Sequence, residues 1–227
     1  MAESAIYPSL RDRVVFVSGG ASGIGAAIVE QFCLQGAKVS FVDIDADAAA
    51  SLADDIAARD LPRPRFLPCD LKDVEALQYT IGQVITADGP ITALINNAAN
   101  DERHTIDDVT PAYFDDRIAV NLRHQFFATQ AVHGPMAEAG GGAIVNIGSV
   151  TWLIGQGGMP CYSASKAAVA GLTRSLARDL GPKNIRVNSV LPGWIMTKRQ
   201  MDNWLTPEGE AELMQRQCLK RPLQPEE

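Results

Sequence analysis

The feature that limits this chain most is a regular alternation of short, apolar, β-branched runs with longer helix-like segments. Residues 13–18 (RVVFVS), 38–43 (KVSFVD), 65–69, 93–97 (ALINN), 143–148 (AIVNIG) and 185–191 read as strands. Between them, residues 23–36, 46–60, 72–87, 111–136 and 160–180 read as helices. Strands that are apolar almost throughout need cover on both faces, and the alternating helices supply it. Right-handed crossovers then lead to an α/β fold, a doubly wound (Rossmann) parallel sheet with helices on both faces. Breakers stand where this pattern needs them: Gly36 ends the first helix, and Gly140, Gly141 and Gly142 separate another from its strand. No internal repeat, low-complexity tract or linker interrupts the pattern, so residues 1–227 read as one domain.

Composition removes several classes of function. The 20 basic residues are outnumbered by 27 acidic ones, and no basic cluster stands out, which argues against a nucleic-acid partner. No stretch approaches the roughly 18 uninterrupted apolar residues of a membrane span. The first ten residues carry Glu3 and no base before Arg11, unlike a signal peptide. Cys33, Cys69, Cys161 and Cys218 are scattered, without a CxxC pair, and read as reduced thiols of a cytoplasmic protein. His104, His124 and His133 lack metal-ligand spacing, so no metal is expected, and His104 reads as a loop residue.

Two places carry chemistry. The first is Ser18-Gly-Gly-Ala-Ser-Gly-Ile-Gly25, where the first strand turns into the first helix. Gly19 permits the tight turn, and Gly23 and Gly25, with Ser22 and Ile24 between and beside them, would let the backbone approach a pyrophosphate at the helix N-terminus. The spacing GxxxGxG departs from the usual GxGxxG, and a purely structural turn is the alternative. Asp43 ends the second strand, where a carboxylate can accept from both ribose hydroxyls and oppose a 2′-phosphate, favouring NAD over NADP. A capping aspartate is the other reading, and Asp45 fits that equally. Asp70, after the third strand, is a weaker candidate for the adenine edge, with Leu71 beside it.

The second is Tyr162-Ser-Ala-Ser-Lys166, a phenol and an ammonium on one helical face. A free tyrosine has a pKa near 10 and is a poor base at neutral pH. A positive charge about 5 Å away, at an effective dielectric of about 20, stabilises the phenolate by roughly 3 kcal/mol, a little over two pH units. Lysine alone therefore brings the phenol near neutrality, and the cationic oxidised nicotinamide would supply the rest. Chance produces such a pair in about one chain in ten like this one, and a surface ion–dipole pair is the plain alternative. Ser149, placed at a strand's carboxyl end 13 residues upstream, adds a hydroxyl that can hold the substrate oxygen. Taken alone, such a serine is more often a helix cap or turn residue.

In this order, the glycine turn, Asp70, Asn96-Asn-Ala-Ala99, Asn121, Ser149, Tyr162, Lys166, Pro192-Gly193 and Thr197 resemble the short-chain dehydrogenase/reductase family, from about Leu10 to Glu227. The resemblance implies that Tyr162 is the acid/base, that Ser149 positions the substrate, and that Lys166 binds the nicotinamide ribose and lowers the tyrosine pKa. It implies that Asn121 holds a water linking Lys166 to a proton relay. Pro192, Ile195 and Thr197 would meet the carboxamide end of the cofactor, and Asn97 would support the central sheet beside the cofactor. Residues 4–10, 100–104, 120–124, 197–200 and 206–211 further resemble bacterial NAD-dependent aldose 1-dehydrogenases of the D-xylose and L-arabinose type. That implies oxidation of an anomeric hydroxyl to a lactone, by a cytoplasmic homotetramer acting on a small sugar. Asn100 could reach sugar hydroxyls, and Trp152 could stack on a sugar face or simply pack. Residues 194–219 would form the lid.

Two departures from the family stand out. Ala99 occupies a position where glycine is usual, which would alter the turn and shift the cofactor slightly. Residues 221–227 carry a Pro-then-Glu helix-start signature, yet the helix and last strand that the resemblance implies are not in this sequence. An exposed sheet edge and weaker assembly would follow. Two other activities remain in view. One is a dehydrogenase or reductase for another secondary alcohol or ketone, such as an oxoacyl thioester or a steroid-like compound. The other is an NAD-binding sensor without turnover, which would have no need of a proton relay.

Overall fold

A computed structural model describes residues 5–227; Glu3 and Ser4, used above, lie outside the described residues. Six strands, β1 (Val14–Ser18), β2 (Lys38–Asp43), β3 (Arg65–Pro68), β4 (Ala93–Asn96), β5 (Gly142–Ile147) and β6 (Ile185–Val190), form one sheet. Their order is β3-β2-β1-β4-β5-β6, with every neighbouring pair parallel. The chain runs outward from β1 to β3 and then restarts on the other side at β4. The carboxyl ends of β1 and β4 therefore flank the switch point, where sheets of this kind open a crevice.

The helices are α1 (Gly23–Leu34), α2 (Ala46–Ala57), α3 (Val74–Asp88), α4 (Pro111–Ile118), α5 (His124–Glu138) and α6 (Pro160–Leu180), followed by two short ones, α7 (Lys198–Asn203) and α8 (Pro207–Arg216). All of β1 is buried, and its period of two divides the core. Val14 and Phe16 pack into a cluster with Leu77 and Ile81 of α3 and Val132 and Met136 of α5. Val15 and Val17 face the other way, onto Val29 and Cys33 of α1 and Ala49 and Ile56 of α2. Each such aliphatic side chain, fully buried, contributes about 1.5–3 kcal/mol, which is why continuous apolar strands demand two helical layers. Capping fixes where helices start: Asp45 accepts from the Ala48 amide at 3.0 Å, Asp73 from Ala76 at 3.0 Å, and Thr110 from Tyr113 at 3.2 Å ahead of Pro111.

Two expectations change. The long helix read over 111–136 is interrupted by a π-helical turn at Ala119–Arg123, which contains Asn121, and ends at Glu138. The wider i→i+5 turn leaves backbone carbonyls less fully paired than an α-helix does. At the other end, residues 221–227 start no helix. The Leu223 carbonyl accepts from Met196 N at 2.8 Å, Leu223 bridges Ile195, and Glu227 N closes a tight turn on the Gln224 carbonyl at 3.1 Å. Arg221 pairs with the Glu227 carboxylate, so side-chain bonds hold this segment as a turn against the base of the lid. No helix among the described residues is long and apolar enough to cross a membrane.

Candidate active site

The glycine turn opens the site. Gly19 has φ +66° and lies so close to β4 that a Cβ there would sit 2.7 Å from the Ala98 Cα. Gly25 also has a packing role. A Cβ on it would fall 1.8 Å from the Gly19 carbonyl oxygen and 2.6 Å from Asn97 Nδ2, so it lets α1 seat on the turn while still lining the cavity. Gly23, at φ +56°, is the glycine that faces the lid, 3.0 Å (as a built Cβ) from the Thr197 methyl. Ser22 is the N-cap of α1 but makes no side-chain cap bond, which leaves the first-turn amides directed at the crevice. Asn97 ties the turn to β4: its Nδ2 donates to the Ser18 and Gly19 carbonyls at 3.1 and 2.8 Å, and its backbone N–H donates to Ser18 Oγ at 3.0 Å.

Asp43 lines the cavity and also braces the turn. Its carboxylate accepts from Ala21 N at 2.9 Å, Ile44 N at 2.8 Å and Asp45 N at 3.1 Å. Asp70 accepts from Lys72 N at 2.9 Å. Ala99 is exposed and does not have positive φ, so its Cβ is accommodated without backbone strain, and it lines the cavity.

Across the crevice, α6 presents Tyr162 and Lys166, and the segment after β5 presents Ser149. The Ser149 hydroxyl accepts the Thr151 amide at 3.2 Å and lies close enough to the Tyr162 phenol to favour its ionised form. Burial pushes that phenol up to about 12; the Ser149 hydroxyl opposes the rise, Asp101 adds to it and the Arg103 guanidinium opposes it. Lys166 is fully buried, and burial pulls its ammonium down to about 8. Its Nζ donates to the Ile147 carbonyl at 2.7 Å and sits 5.6 Å from the centre of the tyrosine ring. The expectation that lysine brings the phenol near neutrality is therefore corrected. Taking the phenolate out of water dominates, and Lys166, its ammonium turned toward a strand carbonyl, is not among the groups that offset it.

These groups line one cavity of about 1220 Å³, larger than the ~300–1,000 Å³ of a common ligand pocket. Gly19, Ser22, Gly23, Ile24, Gly25, Asp43, Asp70, Leu71, Asn97, Asn100, Ser149, Tyr162, Lys166, Pro192, Ile195 and Thr197 all meet it. Two singled-out residues do not. Asn121 is fully buried behind it, its amide spent on the Asn100 and Arg117 carbonyls at 3.1 and 2.9 Å and its Oδ1 on Asn100 N at 2.8 Å. Its side chain thus holds the loop after β4, and its backbone carbonyl accepts from Gln125 Nε2 at 3.4 Å. Trp152 is the second. The chain turns tightly after Ser149, with Leu153 and Ile154 amides both returning to the Val150 carbonyl, and this directs Ser149 inward and the half-exposed indole out of the lining. The tryptophan that lines the cavity is Trp194. Asn100 lines it, but its Oδ1 already accepts from Glu102 N and from Arg199 of the lid.

Sequence reasoning missed most of the loop that follows β4. Asp101 holds the lid through Arg199 at 3.1 Å and Gln200. Arg103 reaches the cavity from the same loop. His104 is no plain loop residue: its Nε2 accepts the Cys161 amide at 3.3 Å, at the start of the helix that carries Tyr162 and Lys166. Its Nδ1 meets the Glu102 carbonyl and the Tyr113 hydroxyl, both at 3.0 Å. The motif Asn100-Asp-Glu-Arg-His104 was visible, but nothing in its spacing pointed to a helix cap 57 residues away.

The sequence profile of the family described as short chain dehydrogenase matches residues 13–208, which takes in the glycine turn, Ser149, Tyr162 and Lys166. The chain belongs to the short-chain dehydrogenases. As a short-chain dehydrogenase it is an oxidoreductase, and similar proteins cover nearly all of it. It is 48% identical over 220 residues, 97% of this chain and 86% of the relative, to a protein described as a probable galactose dehydrogenase of Rhizobium meliloti (strain 1021). It is 47% identical over 223 residues, 98% of this chain and 88% of the relative, to a D-xylose 1-dehydrogenase of Caulobacter vibrioides. Among solved structures, a putative short-chain alcohol dehydrogenase from Sinorhizobium meliloti superposes with a TM-score of 0.89 at 30% identity, over 95% of this chain and 85% of that one.

Proposed function

We propose that this dehydrogenase oxidises the anomeric hydroxyl of an aldose, a pentose or hexose such as D-xylose, L-arabinose or D-galactose, to the lactone with NAD. The observation that carries this reading is that Ser149, Tyr162 and a buried Lys166 meet in the same cavity as the glycine turn. The names of the two relatives near 48% identity support a sugar as substrate.

The residues present fit a dinucleotide. The uncapped start of α1 offers backbone N–H groups to a pyrophosphate, and Gly23 leaves that approach free of a side chain. Asp43 and Asp45 line the end where the adenosine ribose would lie, and two carboxylates there oppose a 2′-phosphate. When bound, oxidised NAD supplies the hydride acceptor and a positive charge next to the phenol. The chain's own residues do the rest. Ser149 Oγ orients the substrate hydroxyl, and Tyr162 Oη takes its proton as the C–H bond gives up its hydride. Ionising the phenol at pH 7 from a value of about 12 costs about 7 kcal/mol, so proton removal and charge compensation must coincide. Lys166, lowered to about 8, stays protonated at neutral pH yet can pass a proton on. The expected assembly is a homo-oligomer in the cytoplasm.

A panel of aldoses, simple secondary alcohols and ketones, each with NAD and NADP, tests this by the absorbance of the reduced nicotinamide. An aldose with NAD should give the highest kcat/KM. A preference for an acyl thioester or a steroid, or for NADP, would contradict it.

A further inference from the structure

Cations line the cavity on several sides, and almost all are already neutralised. Arg117 is paired with Glu102 and Asp116, Lys72 with Asp116, Lys198 with Asp202, Arg199 with Asp101 and Arg216 with Glu212. Lys166 and Arg103 are the two that have no carboxylate partner among the described residues, and Lys166 spends its ammonium on the Ile147 carbonyl.

Arg103 is half-buried, and the one hydrogen bond it makes among the described residues is from Nη1 to the Met159 sulfur at 2.9 Å, a weak acceptor. A guanidinium has five N–H donors, so most of them are unspent. Its plane is held rather than free. It lies 5.2 Å from the centre of the Trp204 ring, which closes the first lid helix, while Met159 starts the helix of Tyr162. Burial lowers its pKa, while Asp101 and Tyr162, both within its electrostatic reach, oppose the drop. Unsatisfied donors fixed at the edge of a substrate cavity recognise oxygen atoms.

We propose that Arg103 is a specificity-determining residue whose guanidinium donates to substrate oxygens neighbouring the carbon that is oxidised, so that the site selects polyhydroxylated substrates over simple alcohols. This rests on the aldose reading above. The test is a cycle between protein and ligand: kcat/KM for D-galactose or D-xylose, and for a set of their monodeoxy analogues, in the wild type and in Arg103→Met and Arg103→Lys. The wild type should prefer the full sugar over at least one analogue by about tenfold or more, and in Arg103→Met that preference should collapse toward one, chiefly through KM. Arg103→Lys should keep part of it. NAD affinity, read by quenching of tryptophan fluorescence, should be unchanged in both variants and shows that they are folded. Preferences that survive intact in Arg103→Met, or an equal loss on every analogue together with weakened NAD binding, would overturn the proposal. A wild type inactive on every aldose would bring down the aldose reading as well.

Discussion

At the scale of single residues, the site holds a conflict between function and stability at Lys166. The ammonium ordinarily titrates at 10.5, and burial lowers it to about 8 in the folded protein. A depressed lysine destabilises the fold fully below pH 8, and the penalty fades as pH rises from 8 to 10.5, where the unfolded chain binds the extra proton. The gap corresponds to about 3 kcal/mol, and losing the bond to the Ile147 carbonyl gives back about 1 kcal/mol. Lys166→Met should therefore be more stable to urea at pH 7 by roughly 2 kcal/mol, with oxidation lost. A destabilised variant would contradict that account. The identity of this residue was legible from its i,i+4 spacing to Tyr162; its burial and its carbonyl partner were not, since both come from β5, nineteen positions upstream.

At the scale of elements, α6 was read from the sequence with its observed limits, Pro160–Leu180, because Pro at its start and a sustained apolar face left little room for error. The π-helical turn at Ala119–Arg123 was not legible, because no residue type marks an i→i+5 widening as Pro or Gly marks a break. Nor was the cap on α6: His104 lies 57 residues before Cys161, and only the fold joins them. His104→Leu removes that acceptor and should cost about 1 kcal/mol, as other lost helix caps do. If the cap also orients Tyr162, kcat should fall with KM and NAD affinity little changed. His104→Gln, whose Oε1 can take the place of Nε2, should restore kcat. Failure of glutamine to do so, at restored thermal stability, would show that the ring does something other than accept from Cys161.

At the scale of the whole molecule, the alternation of strands and helices dictated the doubly wound sheet, and observed strand limits differ from the expected ones by a residue or so. The arrangement around residues 97–104 was obscure because it depends on the loop meeting α6, the π-turn and the lid at once. One buried group there makes the fold sensitive to acid. His124, fully buried beside Lys166 with its Nε2 on the Ala98 carbonyl at 3.1 Å, is driven from 6.5 to about 3. Between those values the unfolded chain binds a proton that the folded one refuses, so stability falls as pH drops through the window. The loss by pH 5 should be about 2 kcal/mol in urea unfolding, and His124→Gln should flatten that slope. The central claim, that Tyr162 is the acid/base of an NAD-dependent sugar oxidation, is tested most directly by Tyr162→Phe. That variant should bind NAD as the wild type does and lose at least about a thousandfold in kcat with the preferred aldose. Turnover that survives the loss of the phenol oxygen would contradict the mechanism.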